Sequence, residues 1–263
     1  MYAVLDCNQA SQLASLTGQP KVARITLSPF ILAEVLLNPQ AAWIAAKLGQ
    51  FPLRWGMEIA SALGAVANLS AAEIAGFKPF VPDGTRTLQR VPAAGPTPAQ
   101  LKEARRIKNG NRAFCDTMFD RAKAFRQRIT SKNAQRKFDS IEEAVAELSS
   151  FPSMVVDWVS NGARRQLKVA DPQELYPAVI ANQHLRRLFY SLLYYILAWS
   201  RAWSNQSWNF DPSPKFDDWT DATLPLYAAD GDVVLTADKK LRTALKAIEP
   251  AGAISASTVS DLR

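Results

Sequence analysis

The chain has a single histidine, two cysteines and no apolar run long enough to span a bilayer, and each scarcity removes a class of chemistry. One imidazole, His184, cannot build a histidine-rich metal centre. It stands far from the acids considered below, so Ser-His-Asp hydrolysis and histidine general-base catalysis have little support, and it reads as a packed or exposed helix residue. Cys7 and Cys115 lack zinc-site spacing and are too few for a disulfide framework, so a reducing compartment is expected. The longest apolar run, LFYSLLYYILAW at 188–199, has 12 residues bounded by Arg186, Arg187 and Arg201. A spanning helix needs roughly 18–20, so a buried helix is expected there. The N-terminus lacks a basic region followed by an apolar core and a small-residue cleavage site, so no secretory signal and a cytoplasmic location are expected.

What is present suits a globular chain: 263 residues, 48% hydrophobic and 21% charged, enough for one large domain or two small ones. The net charge is +7, and its distribution says more than its size. Between Lys102 and Lys137 stand twelve basic residues, Arg105, Arg106, Lys108, Arg112, Arg121 and Lys123 among them, against only Glu103, Asp116 and Asp120. Such a block has two readings. It is either a solvated helix face or the electrostatic footprint of a polyanion partner, whose phosphates release counter-ions when neutralised.

Taken in order, 2–5 (YAVL) reads as a strand ending in Asp6, and 9–16 as a short helix stopped by Thr17 and Gly18. A second strand is expected at 22–27 (VARITL). Ser28 and Pro29 then supply an N-cap and a first-turn proline for a helix at 30–37. Strand, helix, strand, helix is the pattern of right-handed parallel crossovers. Glu34 interrupts the apolar run ILAEVLL, either as a satisfied surface residue or as an inward-facing metal ligand. The pattern from 41 to 75 is helical, with breaks at Pro52 and Asn68, and 77–81 reads as a third strand. The proline- and glycine-rich stretch 82–98 forbids long regular structure and reads as a linker.

From 99 to 203 the periodicity is almost wholly helical, with breaks expected near 109–110, 151–152, 161–162 and 171–172. A second proline-containing stretch, 204–215, follows. A helical run from Asp221, a buried strand at 233–235 (VVL) ending in Thr236, Ala237 and Asp238, a helix at 239–248 and a last strand at 253–258 then complete the pattern. The expected organisation is a sheet domain at 1–98 and 204–263 carrying a helical insertion of about 100 residues at 99–203. Two strands thus end in aspartate, where open α/β sheets form ligand crevices.

The motifs LDCN at 5–8, SPFILAEVL at 28–36, DATL at 221–224 and VVLTAD at 233–238 resemble, in order and local context, the four acidic motifs of PIN-domain nucleases. The resemblance covers about half the chain and implies a PIN-like parallel α/β sheet flanked by helices. Carried over by position, it assigns Asp6, Glu34, Asp221 and Asp238 as the first to fourth acids, with Asn8 and Thr236 as supporting polar residues. It implies a metal-dependent nuclease, with RNA expected over DNA. An antitoxin protein or a second copy of the chain are further partners that it implies. The small toxins of that family are about half this length, so the long helical block leaves substrate and role open, and it would emerge near the rim of the site. The third acid is also ambiguous: Asp217 and Asp218 precede Asp221 by about a turn, and read as N-cap or first-turn acids.

The residues support such chemistry independently. Three or four carboxylates without histidine or cysteine suit hard cations such as Mg²⁺ or Mn²⁺, and bound cations keep clustered carboxylates ionised. In the aromatic-rich stretch, Tyr190, Tyr194, Trp199 and Trp203 read as core residues, the alternative being base stacking in a basic groove; Trp208 and Trp219 are expected to be exposed. A haloacid-dehalogenase-like phosphatase would need a second aspartate where Asn8 stands. A non-catalytic nucleic-acid-binding or protein-interaction module with a PIN-like fold is the alternative of a different class, and metal dependence separates the two.

Overall fold

The computed structural model describes residues 2–15, 24–81, 90–132, 136–162, 172–204 and 216–262. Six short strands form one sheet: β1 (Ala3–Leu5), β2 (Ile25–Leu27), β3 (Leu53–Gly56), β4 (Phe80–Val81), β5 (Val233–Leu235) and β6 (Ser255–Ser257). Their order is β4-β3-β2-β1-β5-β6, parallel throughout except for the antiparallel β3–β4 pair. Every residue of β1, β2 and β5 is buried, as expected when helices cover both faces of a parallel sheet. From β1 the chain builds outward through β2 and β3 on one side, then returns to lay β5 and β6 on the other. The switch point therefore lies between β1 and β5, whose carboxyl ends are aligned by the Leu5–Leu235 register.

The helices on and around this sheet are α1 (Cys7–Ser15), α2 (Pro29–Leu37), α3 (Ala41–Leu48), α4 (Ile59–Val66), α5 (Ala71–Ala75), α6 (Pro98–Lys132), α7 (Ile141–Glu147), α8 (Phe151–Gly162), α9 (Pro172–Ala181), α10 (Gln183–Trp199), α11 (Phe216–Thr223) and α12 (Lys239–Ile248). Ser28 caps α2 by accepting from Ile31 N at 3.2 Å, with Pro29 in the first turn where no N–H is needed. None of the helices among the described residues is long and apolar enough to cross a membrane.

The helical segment is not laid loosely on the sheet. Ala104 and Ile107, then Cys115, Met118, Ala122 and Phe125, form a buried stripe along the 35-residue α6, bridged between the two groups by the part-buried Asn111 and Phe114. That stripe carries α6 straight through Asn109 and Gly110, where a break was expected. A mid-helix glycine costs only about 1 kcal/mol, less than burial of one large apolar side chain returns. Helix α10 is the apolar run expected to be buried, and 14 of its 17 residues are. Asn182 caps it, accepting from His184 N and Leu185 N, and donates from Nδ2 to the carbonyls of Ile74 (2.9 Å) and Phe77 (2.8 Å). The core residues of α6 to α10 belong to the same continuous cluster as those of the sheet.

Three local expectations are corrected. Residues 53–56 form β3, inside the stretch that read as helical. The reason is Arg54, whose guanidinium lies between the Tyr2 ring (3.9 Å) and the Phe80 ring (4.2 Å) and donates to Thr26 Oγ1, Tyr227 O and, at 2.6 Å, Asp232 Oδ2. Those partners are distant in sequence, so no local pattern announces them. The strand expected at 77–81 is the short antiparallel β4, fourth rather than third. Trp219, expected to be exposed, is only 1% exposed and packs edge-on to Phe119 of α6. Tyr194, Trp199 and Trp203 are core residues, and Tyr190 packs against that core. Residues 82–89 and 205–215 of the two expected linkers, Trp208 included, lie outside the described residues.

Candidate active site

The carboxyl ends of β1 and β5 open into a cleft of about 550 Å³ lined by Asp6, Asn8, Phe30, Ile31, Glu34, Lys108, Thr220, Asp221, Leu224, Ala237 and Asp238. All four acids singled out in the sequence reach it, each from a different segment. Asp6 follows β1, Glu34 lies in the last two turns of α2, Asp221 is near the end of α11, and Asp238 follows β5. Asn8, in the first turn of α1, lines the same cleft.

Asp6 and Asp238 are joined through Thr236. The buried Thr236 hydroxyl donates to Asp6 Oδ2 at 2.9 Å and accepts from Asp238 N at 3.0 Å. Parallel pairing sets this up, because Asp6 N donates to Leu235 O at 3.0 Å and so places the end of β1 beside the residue that follows β5. Asp238 is also the N-cap of α12, its Oδ1 accepting from Leu241 N at 2.9 Å. The helix dipole favours a negative charge at that position.

Glu34 faces Lys108, which α6 brings across the rim: Nζ lies 2.6 Å from Oε1, and both side chains are partly exposed. Asp221 was expected to begin a helix, but α11 begins at Phe216 and Asp221 falls in its last turn. Thr220 beside it accepts from Asn111 Nδ2 of α6 at 3.3 Å and lies 3.9 Å from the Cys115 sulfur. Burial pushes the Cys115 thiol up to about 12, so it stays protonated at neutral pH. Asp218 does lie in the first turn of its helix, buried, with Oδ1 accepting from Lys240 Nζ at 2.9 Å. The Asp217 side chain lies outside the described residues.

Tyr195 was not singled out in the sequence. This fully buried phenol is held protonated chiefly by burial, then by the negative charges of Asp221, Asp238 and Asp218. Nothing in the run LLYYILAW separates it from its core neighbours. Lys108 and Thr220 as cleft residues were also missed. Lys108 was expected as a nucleic-acid-binding cation of the basic block, not as a partner of Glu34, and its position follows from the register of the α6 stripe, with Ile107 turned inward beside it.

The donor set suits a hard divalent cation, being all oxygen, with no thiolate or imidazole. Its spacing is wider than such a site requires: among the described residues no three Asp, Glu, His or Cys are gathered so that they could hold a metal ion. Each of three acids has a protein partner: Asp6 is turned to Thr236, Glu34 to Lys108 and Asp238 to the α12 amide.

The basic face of α6 is divided. Arg106 is bound to Glu103 and Glu58, and Arg121 donates to the Asp157 carbonyl at 2.8 Å. Arg105, Arg112 and Lys123 project into solvent. Comparison with protein-family models, with curated proteins and with solved structures gives no match.

Proposed function

We propose that this chain is a metal-dependent nuclease of PIN-like type, hydrolysing phosphodiester bonds in the cleft between the ends of β1 and β5. The observation that carries the reading is the convergence of Asp6, Glu34, Asp221 and Asp238, from four separate segments, on one cleft at the topological switch point of the sheet. A purely structural role does not require four carboxylates to share an open cleft at that end of the sheet.

Asp6, Glu34, Asp221 and Asp238 would hold Mg²⁺ or Mn²⁺. Such an ion lowers the pKa of water and neutralises charge on a phosphoryl group. Thr236 keeps the Asp6 carboxylate aimed by donating to it, and the α12 N-terminus does the same for Asp238. The apolar lining residues Phe30, Ile31 and Leu224 limit the water around the acids. Arg105, Arg112 and Lys123 supply exposed positive charge along α6 to attract a polyanion. RNA is the expected substrate, and an antitoxin protein or a second copy of the chain remain proposals of the PIN resemblance alone.

A second reading is a binding module of the same fold that takes nucleic acid without cleaving it. The separation of the carboxylates favours it. One experiment decides: labelled single-stranded RNA and DNA incubated with the purified protein in Mn²⁺, Mg²⁺ or EDTA. Metal-dependent cleavage supports the nuclease. Salt-sensitive binding without cleavage under any condition supports the module.

A further inference from the structure

The cleft already holds a cation of its own. Lys108 enters it from the helical segment, and its ammonium sits 2.6 Å from the carboxylate of Glu34. The pairing has two physical features. First, Glu34 is the acid on α2, and α6 packs more extensively against α2 than against any other element, so the backbone positions of both partners are firmly set. Second, the pair itself is weak. The Lys108 side chain is 45% exposed and that of Glu34 25%, and exposed ion pairs contribute little because water and salt screen them. A firmly placed but weakly held charge can be exchanged at small cost.

Resting on the nuclease reading, we propose that Lys108 is an exchangeable counter-ion and substrate-positioning cation. It neutralises Glu34 while no divalent ion is bound, yields that carboxylate to the ion, and then holds a phosphate of the nucleic acid at the rim. This gives a role to the one lysine among the described residues that line the cleft: Glu34 shares the cleft with Asp6, Asp221 and Asp238, and its carboxylate is turned to Lys108. An ammonium on a four-carbon stem suits the exchange, since it is a compact charge with three donors that can swing between carboxylate and phosphate. No covalent step is involved, only a change of ion-pair partner.

The test is Mn²⁺ binding, followed by the electron paramagnetic resonance of the free ion, in wild type, Lys108→Met, Arg112→Met and Asp6→Asn. Arg112 is exposed one turn further along α6 and is not a lining residue of the cleft, so its variant reports the general effect of removing a positive charge. The expected result is Mn²⁺ binding about 2–5-fold tighter in Lys108→Met than in wild type, corresponding to the upper part of the range for exposed ion pairs. Arg112→Met should change it much less, and Asp6→Asn should abolish binding. At saturating Mn²⁺, Lys108→Met should raise KM for single-stranded RNA several-fold while leaving kcat within about 2-fold, a split that a merely structural lysine would not give. If Asp6→Asn loses Mn²⁺ but Lys108→Met binds it no more tightly than Arg112→Met, the exchange is wrong and the metal reading stands. If neither wild type nor Lys108→Met binds Mn²⁺, both fall. Circular dichroism on each variant confirms that α6 is intact.

Discussion

Thr236 Oγ1 stands 2.9 Å from Asp6 Oδ2 across the junction of the two central strands, and both residues are buried. One hydroxyl thus serves three ends: it aims the first acid, fixes the backbone before the fourth, and fills the hydrogen-bonding needs of two buried groups. Thr236→Val keeps the shape and removes the hydroxyl. The expected loss is about 1–3 kcal/mol of stability, the usual cost of leaving a buried polar group unsatisfied, together with a fall in any metal-dependent cleavage. Thr236→Ser should retain most of both, as urea unfolding and the cleavage assay would report.

Gly56, at the end of β3, lies against the ring of Tyr227. A β-carbon there would come within 2.4 Å of that ring, whose hydroxyl donates to Met57 O at 2.7 Å. The ring cannot retreat without giving up that bond. Gly56→Ala is expected to cost about 1–3 kcal/mol through overpacking, seen as a lower urea midpoint with an unchanged slope.

Arg187 is the most deeply buried cation of the helical segment. It donates from Nε to Glu249 at 2.7 Å and from Nη1 to Ala228 O at 2.8 Å, and pairs with Asp230, tying α10 to the segments flanking β5 and α12. Removing one partner of a buried pair costs about 3–5 kcal/mol when the other charge is stranded, and among the described residues only Arg186, 3.6 Å from Glu249, would remain to pair with that carboxylate. Arg187→Met should therefore be strongly destabilised, and Arg187→Met with Glu249→Leu should recover part of the loss. Thermal melting of the two variants checks this.

His184 gives the fold a pH dependence. Burial pushes its imidazole down to about 4; the Leu226 carbonyl 3.0 Å from Nδ1 opposes this shift, and Arg187 and Arg54 add to it. The folded state therefore binds the proton less well than the unfolded chain, whose histidine titrates near 6.5. The stabilisation is fully present above about pH 6.5, and is lost progressively as pH falls towards 4. Its size is on the order of 3 kcal/mol. Urea midpoints at pH 7.5 and 5 should drop more for wild type than for His184→Leu, which has no proton to take up.

The parts of this architecture legible in the sequence are those set by local pattern. The apolar runs of β1, β2 and β5, the Ser28-Pro29 start of α2, and the acids that follow two central strands all announce themselves within a few residues. β3 does not, because Arg54 is admitted to the sheet only by Tyr2, Phe80 and Asp232, the last 178 positions away. Trp219 looked exposed beside a polar stretch, yet α6 supplies Phe119 to cover it. The four acids could be ordered by motif, but the sequence held no sign that Lys108 would face Glu34, since that follows from how two helices pack.

The most direct test of the carboxylate site is cleavage of labelled single-stranded RNA in Mn²⁺ by wild type, Asp6→Asn and Asp238→Asn. Asparagine is chosen because it caps a helix about as well as aspartate, so the second variant removes charge while keeping α12 in place. The expected result is cleavage by wild type that EDTA abolishes, and a loss of at least about 100-fold in both variants with unchanged circular dichroism; removing a well-placed charge-stabilising group costs that much in other enzymes. Undiminished cleavage by either well-folded variant, or cleavage indifferent to EDTA, would contradict it.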